Sequence, residues 1–364
     1  MTIFKSSFNF VLFILYSNHH KFNYLAIHTM STITKLRSAS TTKIHNLLGE
    51  QQENASVNKI LETQKPSIIQ PNLKSYLKAF RPWSLKAATS SAILGAAIAY
   101  HHSGKFNLTS LVFTTLLSVS LQILCNLFNS YNDFVNEVDK DEHSHDRTMF
   151  DYGLTVQHIV GLNGISIVVS MLSLIVIMFS VGDPILIKEL IIPYSIVAFL
   201  LATYYTSNPL KLKYSALGDA TIFVSYGPVL CVLSFIIQAR YFDWDAIYYS
   251  LPSTLVFTAV VHINNSRDSI TDAQAGVRTI ANFIGPQNSF YLLLIYYSVA
   301  CLVLSLIAIE KNSLMMILPL ITLPKAYDIC KKLFDKRWKS LDSEGASFGF
   351  MFALVQSFVF FLNQ

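Results

Sequence analysis

Charge is what this chain has least of. Asp, Glu, Lys and Arg make up 13% of its 364 residues, about half the roughly 25% of an ordinary soluble domain. With 52% of residues hydrophobic, the polar surface needed to enclose a core in water is missing, and a soluble globular fold is excluded. Cysteine is scarce as well. Cys125, Cys231, Cys301 and Cys330 sit in or at the ends of apolar segments with no Cys-x-x-Cys pair. That argues against a thiolate metal site or a disulfide framework and leaves small buried hydrophobes as the reading. The net charge of +5 is too modest to mark a nucleic-acid-binding protein.

Long apolar runs are abundant instead, filling the chain after about residue 83. They read as nine candidate spans, at about 83–100, 108–131, 159–181, 187–206, 217–238, 246–263, 290–309, 313–329 and 346–362, each near the length that crosses a bilayer. The eighth is the least regular, with Pro319 and Pro324 inside it and Lys325 near its end. The fold class is therefore all-α, a polytopic membrane bundle of about nine transmembrane helices. Residues 1–75 stand apart as a disordered or targeting tail, and 76–364 form the membrane domain. The tail carries the short apolar run Phe8–Tyr16, then a Ser/Thr-rich basic stretch resembling a transit peptide, and Met30 is an alternative start.

Orientation follows from the loops. Lys74, Lys78, Arg81 and Lys86 flank the first span. Lys140 and Arg147 follow the second, Lys211 and Lys213 the fourth, Arg267 and Arg278 the sixth, and five basic residues from Lys331 to Lys339 the eighth. The alternate loops carry one cation each: Lys105, Lys188, Arg240 and Lys311. The positive-inside rule puts the first set of loops in the cytoplasm and the C-terminus outside.

On that same side lie two polar clusters. In NLFNSYNDFVNEVDKDEHSHDR, residues Asn126, Asn129 and Asp133 are spaced to share one helix face. Asp139 lies off that face, so the helix is expected to end first and let it fold back. In HINNSRDSITDAQAGVRT, residues Asn264, Asp268 and Asp272 recur at i, i+4 and i+8, one face again. The pair Asn129–Asp133 thus repeats as Asn264–Asp268, as though each half of a bundle supplied one wall of a site. Facing carboxylates repel unless cations lie between them, and carboxylate and amide oxygens suit Mg²⁺, which is commonly held by one or two carboxylates, waters and substrate phosphates. This reads as a magnesium–diphosphate site, with Arg147, Arg267, Lys211 and Lys213 as nearby cations for the remaining phosphate oxygens. An acidic loop taken singly is usually only solvated; the repetition of the pattern argues otherwise. His143 and His145 lack partners at zinc-ligand spacing. Arg81-Pro82-Trp83 reads first as a snorkelling flank and an interface anchor.

The two clusters resemble the paired aspartate-rich motifs of the UbiA superfamily of intramembrane prenyltransferases. FRPWSLKAATSSAILGAAIAY at the first span and YYTSNPLKLKYSALGDATIFVSYGP leading into the fifth agree with it. The Asn-x3-Asp-x5-Asp form of the first motif, followed by Asp-Arg-Thr, is most similar to the menaquinone (vitamin K) branch found in animals. The likeness covers about residues 76–362. One departure is Ser207-Asn208-Pro209, where relatives often carry glycines; it bears on which lysine meets phosphate, and Lys213 is the better-matched candidate.

The resemblance implies Mg²⁺-dependent transfer of an isoprenyl group, with geranylgeranyl expected, from its diphosphate to a naphthoquinol within the bilayer. Asn129, Asp133 and Asp139 would hold one metal, and Asn264, Asp268 and Asp272 the other. Asp133, Asp139, Asp268 and Asp272 are the expected catalytic carboxylates. Asn129, Asn264, Arg147, Lys213 and Tyr205 are expected around the diphosphate. The alternatives are a 4-hydroxybenzoate polyprenyltransferase of ubiquinone synthesis, a non-catalytic prenyl-lipid or sterol sensor, and a transporter. Transporters favour ionisable groups near the midplane, whereas these lie at one surface. Endoplasmic reticulum or Golgi membrane is the expected location, with mitochondria the alternative raised by the basic tail.

Overall fold

The computed structural model of the chain describes residues 70–139 and 146–363. The expected tail up to residue 69, together with Lys140, His143 and His145, lies outside the described residues. Those described fold as helices: α1 (Leu73–Ala79), α2 (Pro82–Ser103), α3 (Leu108–Val135), α4 (Val156–Val181), α5 (Pro184–Tyr204), α6 (Gly218–Ala239), α7 (Trp244–Arg267), α8 (Ser269–Gln274), α9 (Ile280–Glu310), α10 (Leu323–Phe334) and α11 (Leu341–Leu362). Among the described residues there is no strand, only one bridge between Ser215 and Arg278.

Seven of these helices are long and apolar enough to cross a membrane: α3, α4, α5, α6, α7, α9 and α11. Two of the nine expected segments, α2 and the stretch from Leu314 to Phe334, fall outside that criterion. Helix α2 has 22 residues, roughly 33 Å at 1.5 Å per residue, but is built largely of Ala and Ser. Its small side chains face protein rather than lipid: Ala88, Ala92, Ala96 and Ala97 are fully buried. Close approach is the reason. Ser234 Oγ donates to the Ala92 carbonyl at 2.6 Å, and a Cβ on Gly95 would fall 2.1 Å from the Cys231 carbonyl oxygen. The eighth expected segment forms a 3₁₀ helix, Leu314–Thr322, running into α10. Ser313 Oγ meets Asn363 Oδ1 at 2.7 Å, while Lys325 and Lys332 both reach Glu344. The segment therefore runs antiparallel to α11 from its last residues to its first turn.

Side-chain contacts sort the helix ends into two layers. Lys213 with Asp133, Arg81 with Asp146 and Arg267 with Asp342 mark one. Asn107 with Gln238, Arg240 with the Ser180 carbonyl and Tyr249 with Glu310 mark the other. Most residues of α6 and α7 are buried, whereas α4, α5 and α9 have few buried residues and expose large apolar side chains such as Phe179, Ile196 and Leu302, the face expected toward acyl chains. Inside α6 the segment Ser225–Cys231 opens into a π turn around Pro228, which has no N–H to offer the helical ladder.

Candidate active site at the acidic end of the bundle

Helix α3 stays helical through Asp133 and ends at Val135. Glu137 takes a left-handed φ of 56°, and the backbone N–H groups of Val138 and Asp139 both return to the Asp133 carbonyl, at 2.9 and 3.1 Å. The expected fold-back of Asp139 is therefore present. The second cluster departs from its expected single face. Helix α7 stops at Arg267, Asp268 is its C-cap with φ −90° and ψ 4°, and Asp272 sits on the separate short helix α8. At the break Arg267 and Asp268 form a bidentate pair, at 2.8 Å for each bond.

Both clusters open onto one cavity of about 380 Å³. All nine residues expected in the site line it: Asn129, Asp133, Asp139, Arg147, Tyr205, Lys213, Asn264, Asp268 and Asp272. Lys213 Nζ donates to Asp133 Oδ2 at 2.7 Å and to Asn129 Oδ1 at 3.2 Å, and the Tyr214 hydroxyl donates to Asp133 Oδ1. Lys211 is outside the lining and reaches Asn136 instead, at 3.0 Å. Arg147 borders the cavity while forming a two-bond pair with Asp151.

The electrostatics show a surplus of negative charge. Burial pushes the Asp272 carboxyl up, and Asp268, Asp133 and Asp139 push it further against the pull of Lys213, to about 7. The Lys213 ammonium is opposed by burial but held above its ordinary range by Asp133 and Asp272. Burial works against ionised Asp146 too, yet Arg81 holds its carboxyl well below the usual carboxylate range.

The donor set fits Mg²⁺ in one specific sense. Asn264 Oδ1 is buried with no hydrogen-bond partner, although it lines the cavity among carboxylates that repel one another. Among the described residues no three His, Cys, Asp or Glu groups close on a single point, so an all-protein cage is absent. A cation that keeps waters and shares phosphate oxygens needs none.

Arg81, Gln122, Asp146 and Tyr226 also line the cavity; from sequence, Arg81 reads first as a flank at the lipid interface and the other three are not singled out. Arg81 Nη2 meets Asp146 Oδ2 at 2.6 Å and Ser130 Oγ at 3.2 Å, and Ser130 donates to the same carboxylate oxygen at 2.6 Å. The Arg-Pro-Trp arginine thus faces the site rather than the lipid interface. It does so from a left-handed backbone, φ 49°, a costly conformation for a residue with a Cβ. Gln122 and Tyr226 line the inner part. Gln122 was legible in principle, four residues before Asn126 on the same stripe; Asp146 and Tyr226 had no comparable signal.

Fold and site together define a polytopic helical membrane protein whose acidic cavity opens at one end of the bundle. A sequence model of the UbiA prenyltransferase family matches residues 89–355. The chain is 34% identical over 323 residues to UbiA prenyltransferase domain-containing protein 1 of Dictyostelium discoideum, covering 89% of this chain and 96% of that protein. It is 32% identical over 288 residues to the Drosophila melanogaster homolog of that protein, covering 78% of each. The solved structure of a UbiA homolog from Archaeoglobus fulgidus bound to GPP and Mg²⁺ matches with a TM-score of 0.53 at 14% identity, covering 78% of this chain and 99% of that one, a likeness of fold. The chain belongs to the UbiA prenyltransferase family.

Proposed function

We propose that this protein transfers an isoprenyl group, geranylgeranyl by expectation, from its diphosphate to a reduced naphthoquinone in a Mg²⁺-dependent reaction of menaquinone synthesis. The observation that carries the reading is the meeting of both acidic clusters on one cavity. A related archaeal protein of the same fold binds GPP and Mg²⁺, which supports the substrate class, and the Asn-x3-Asp-x5-Asp pattern supports the acceptor. Asn129, Asp133 and Asp139 on one wall and Asn264, Asp268 and Asp272 on the other would hold the metal. When bound, Mg²⁺ supplies positive charge to the diphosphate as the allylic C–O bond breaks.

The chain's own residues do the rest. Lys213 and Arg147 offer N–H donors to phosphate oxygens. Phe257, Val260 and Ala346 give the cavity apolar lining, and the aromatic rings of Tyr205 and Phe257 would favour positive charge on the allylic carbon. The acceptor's ring carbon forms the new C–C bond, and the displaced ring proton passes to a cavity carboxylate. The positive-inside rule favours the cytoplasmic side for this end of the bundle, and the family likeness favours endoplasmic reticulum or Golgi membrane, with mitochondria the alternative.

The test offers purified membranes menadiol or 4-hydroxybenzoate with diphosphates of several chain lengths, with and without Mg²⁺. The expected product is a prenylated naphthoquinol formed only with Mg²⁺. Turnover of 4-hydroxybenzoate alone would replace the acceptor, and no turnover of either would defeat the reading.

A further inference from the structure

Helix α3 carries polar side chains much deeper than a metal-bound head group requires. Gln122, Asn126, Asn129 and Asp133 form one stripe, and Gln122 lies three turns below Asp133, roughly 16 Å at 1.5 Å per residue. Amides that far into a spanning helix are costly and mark function. Bonds around Gln122 fix its orientation. Asn126 Nδ2 donates to the Phe80 carbonyl at 2.9 Å and to Ser84 Oγ at 2.8 Å, so Asn126 Oδ1 must accept. It accepts from Gln122 Nε2 at 2.9 Å. Gln122 Oε1 in turn accepts from the Tyr226 hydroxyl at 2.7 Å. One Gln122 N–H and one lone pair of Oε1 stay without a partner among the described residues, and both Gln122 and Tyr226 border the cavity.

The fold builds the Tyr226 side of this arrangement. Tyr226 lies on the π turn of α6, a distortion frequent at functional positions. The next residue, Gly227, is wedged so that a Cβ would fall 2.4 Å from Thr254 Oγ1. The Tyr226 ring leans on Phe257 with centroids 5.8 Å apart, which leaves its hydroxyl at the apolar inner wall.

We propose that Gln122 and Tyr226 dock a ring hydroxyl of the aromatic acceptor, holding the ring below the metal–diphosphate end. A phenolic hydroxyl both donates and accepts, and the spare N–H and lone pair of one amide match that demand. This rests on the acceptor reading above and names its polar anchor.

The test compares Tyr226→Phe, which removes one oxygen, and Gln122→Met, which keeps length without polarity, against wild type with menadiol and geranylgeranyl diphosphate varied separately. The expected result is a rise of about tenfold in the KM for menadiol with the KM for the diphosphate unchanged. A menadiol KM within about twofold of wild type in Tyr226→Phe overturns the proposal, and so does a parallel rise in both KM values, which belongs to a scaffold residue. If wild-type protein prenylates no acceptor, the function proposed above fails separately. Calorimetric titration of menadiol into the Mg²⁺-free protein then decides this one: binding weakened about tenfold in Tyr226→Phe upholds it, and equal binding overturns it.

Discussion

Asp133 and Asp268 occupy matching positions in the two clusters but meet different cations, Lys213 and Arg267. Replacing either with Ala removes a charged oxygen from the cavity wall and leaves the cation with its weaker partner alone, Asn129 for Lys213 and Asp342 for Arg267. A loss of at least about a hundredfold in turnover is expected with the protein still folded by size-exclusion profile; full activity in a folded variant would remove the residue from its assigned role. Asp272 sets a pH dependence. Its carboxyl titrates near 7 in the metal-free protein, above its unfolded value, so the folded state holds the proton more tightly than the unfolded chain. That contribution to stability is full at acid pH and is lost as pH rises through about 7. Mg²⁺ must displace the same proton. Its stabilisation of the protein, read as a shift in Tm, should be larger at pH 8 than at pH 6, and an equal shift at both would exclude Asp272 from the cation's surroundings. Sequence spacing pointed to all six oxygen-bearing residues because amides and carboxylates recurring at helix ends in an apolar chain are rare. It did not show Asp146, whose importance depends on where a loop brings it against Arg81.

At the scale of helices, the apolar runs located the spans well, but their boundaries shifted where protein replaces lipid. The apolar span ends near residue 263, yet helix α7 runs on to Arg267 with its last turns enclosed: His262 and Asn265 both bond the buried carboxylate of Asp219, so polarity there does not signal exit from the membrane. The helix break at Asp268 was illegible for the opposite reason, since i, i+4, i+8 spacing is equally consistent with one helix or two. Helix α2 shows what sets its own packing. Gly95→Val would drive side-chain carbons into the Cys231 carbonyl and the Ser234 Cβ. An overpacking cost of about 1–3 kcal/mol is expected, visible as a lower Tm in detergent. An unchanged Tm would mean that α2 and α6 separate without penalty. Gly161→Val, whose Cβ would meet nothing within 4 Å, is the matched control.

For the whole molecule, alternating loop charge implied that both Asn/Asp clusters lie on one side, and their lining of one cavity agrees. Sidedness can be measured directly. The native cysteines are buried or half-buried, so Lys336→Cys and Lys105→Cys each add one exposed thiol at opposite ends. In sealed microsomes with the cytoplasmic face outward, a membrane-impermeant maleimide should label the first and spare the second. The reverse pattern would invert the topology and place the acidic cavity away from the cytoplasm.

The short bridge between Ser215 and Arg278 has a mechanical consequence. Ala216 donates to the Arg278 carbonyl at 2.7 Å, and Arg278 donates back to the Tyr214 carbonyl at 3.1 Å, stitching the lysine-bearing loop to the strand of chain that leaves Asp272. These two stretches come from opposite halves of the polypeptide, yet the stitch makes them a single rigid rim. The loop bearing Lys213 and the segment that follows Asp272 are thus joined through main chain at the mouth of the cavity, and neither can shift far without the other.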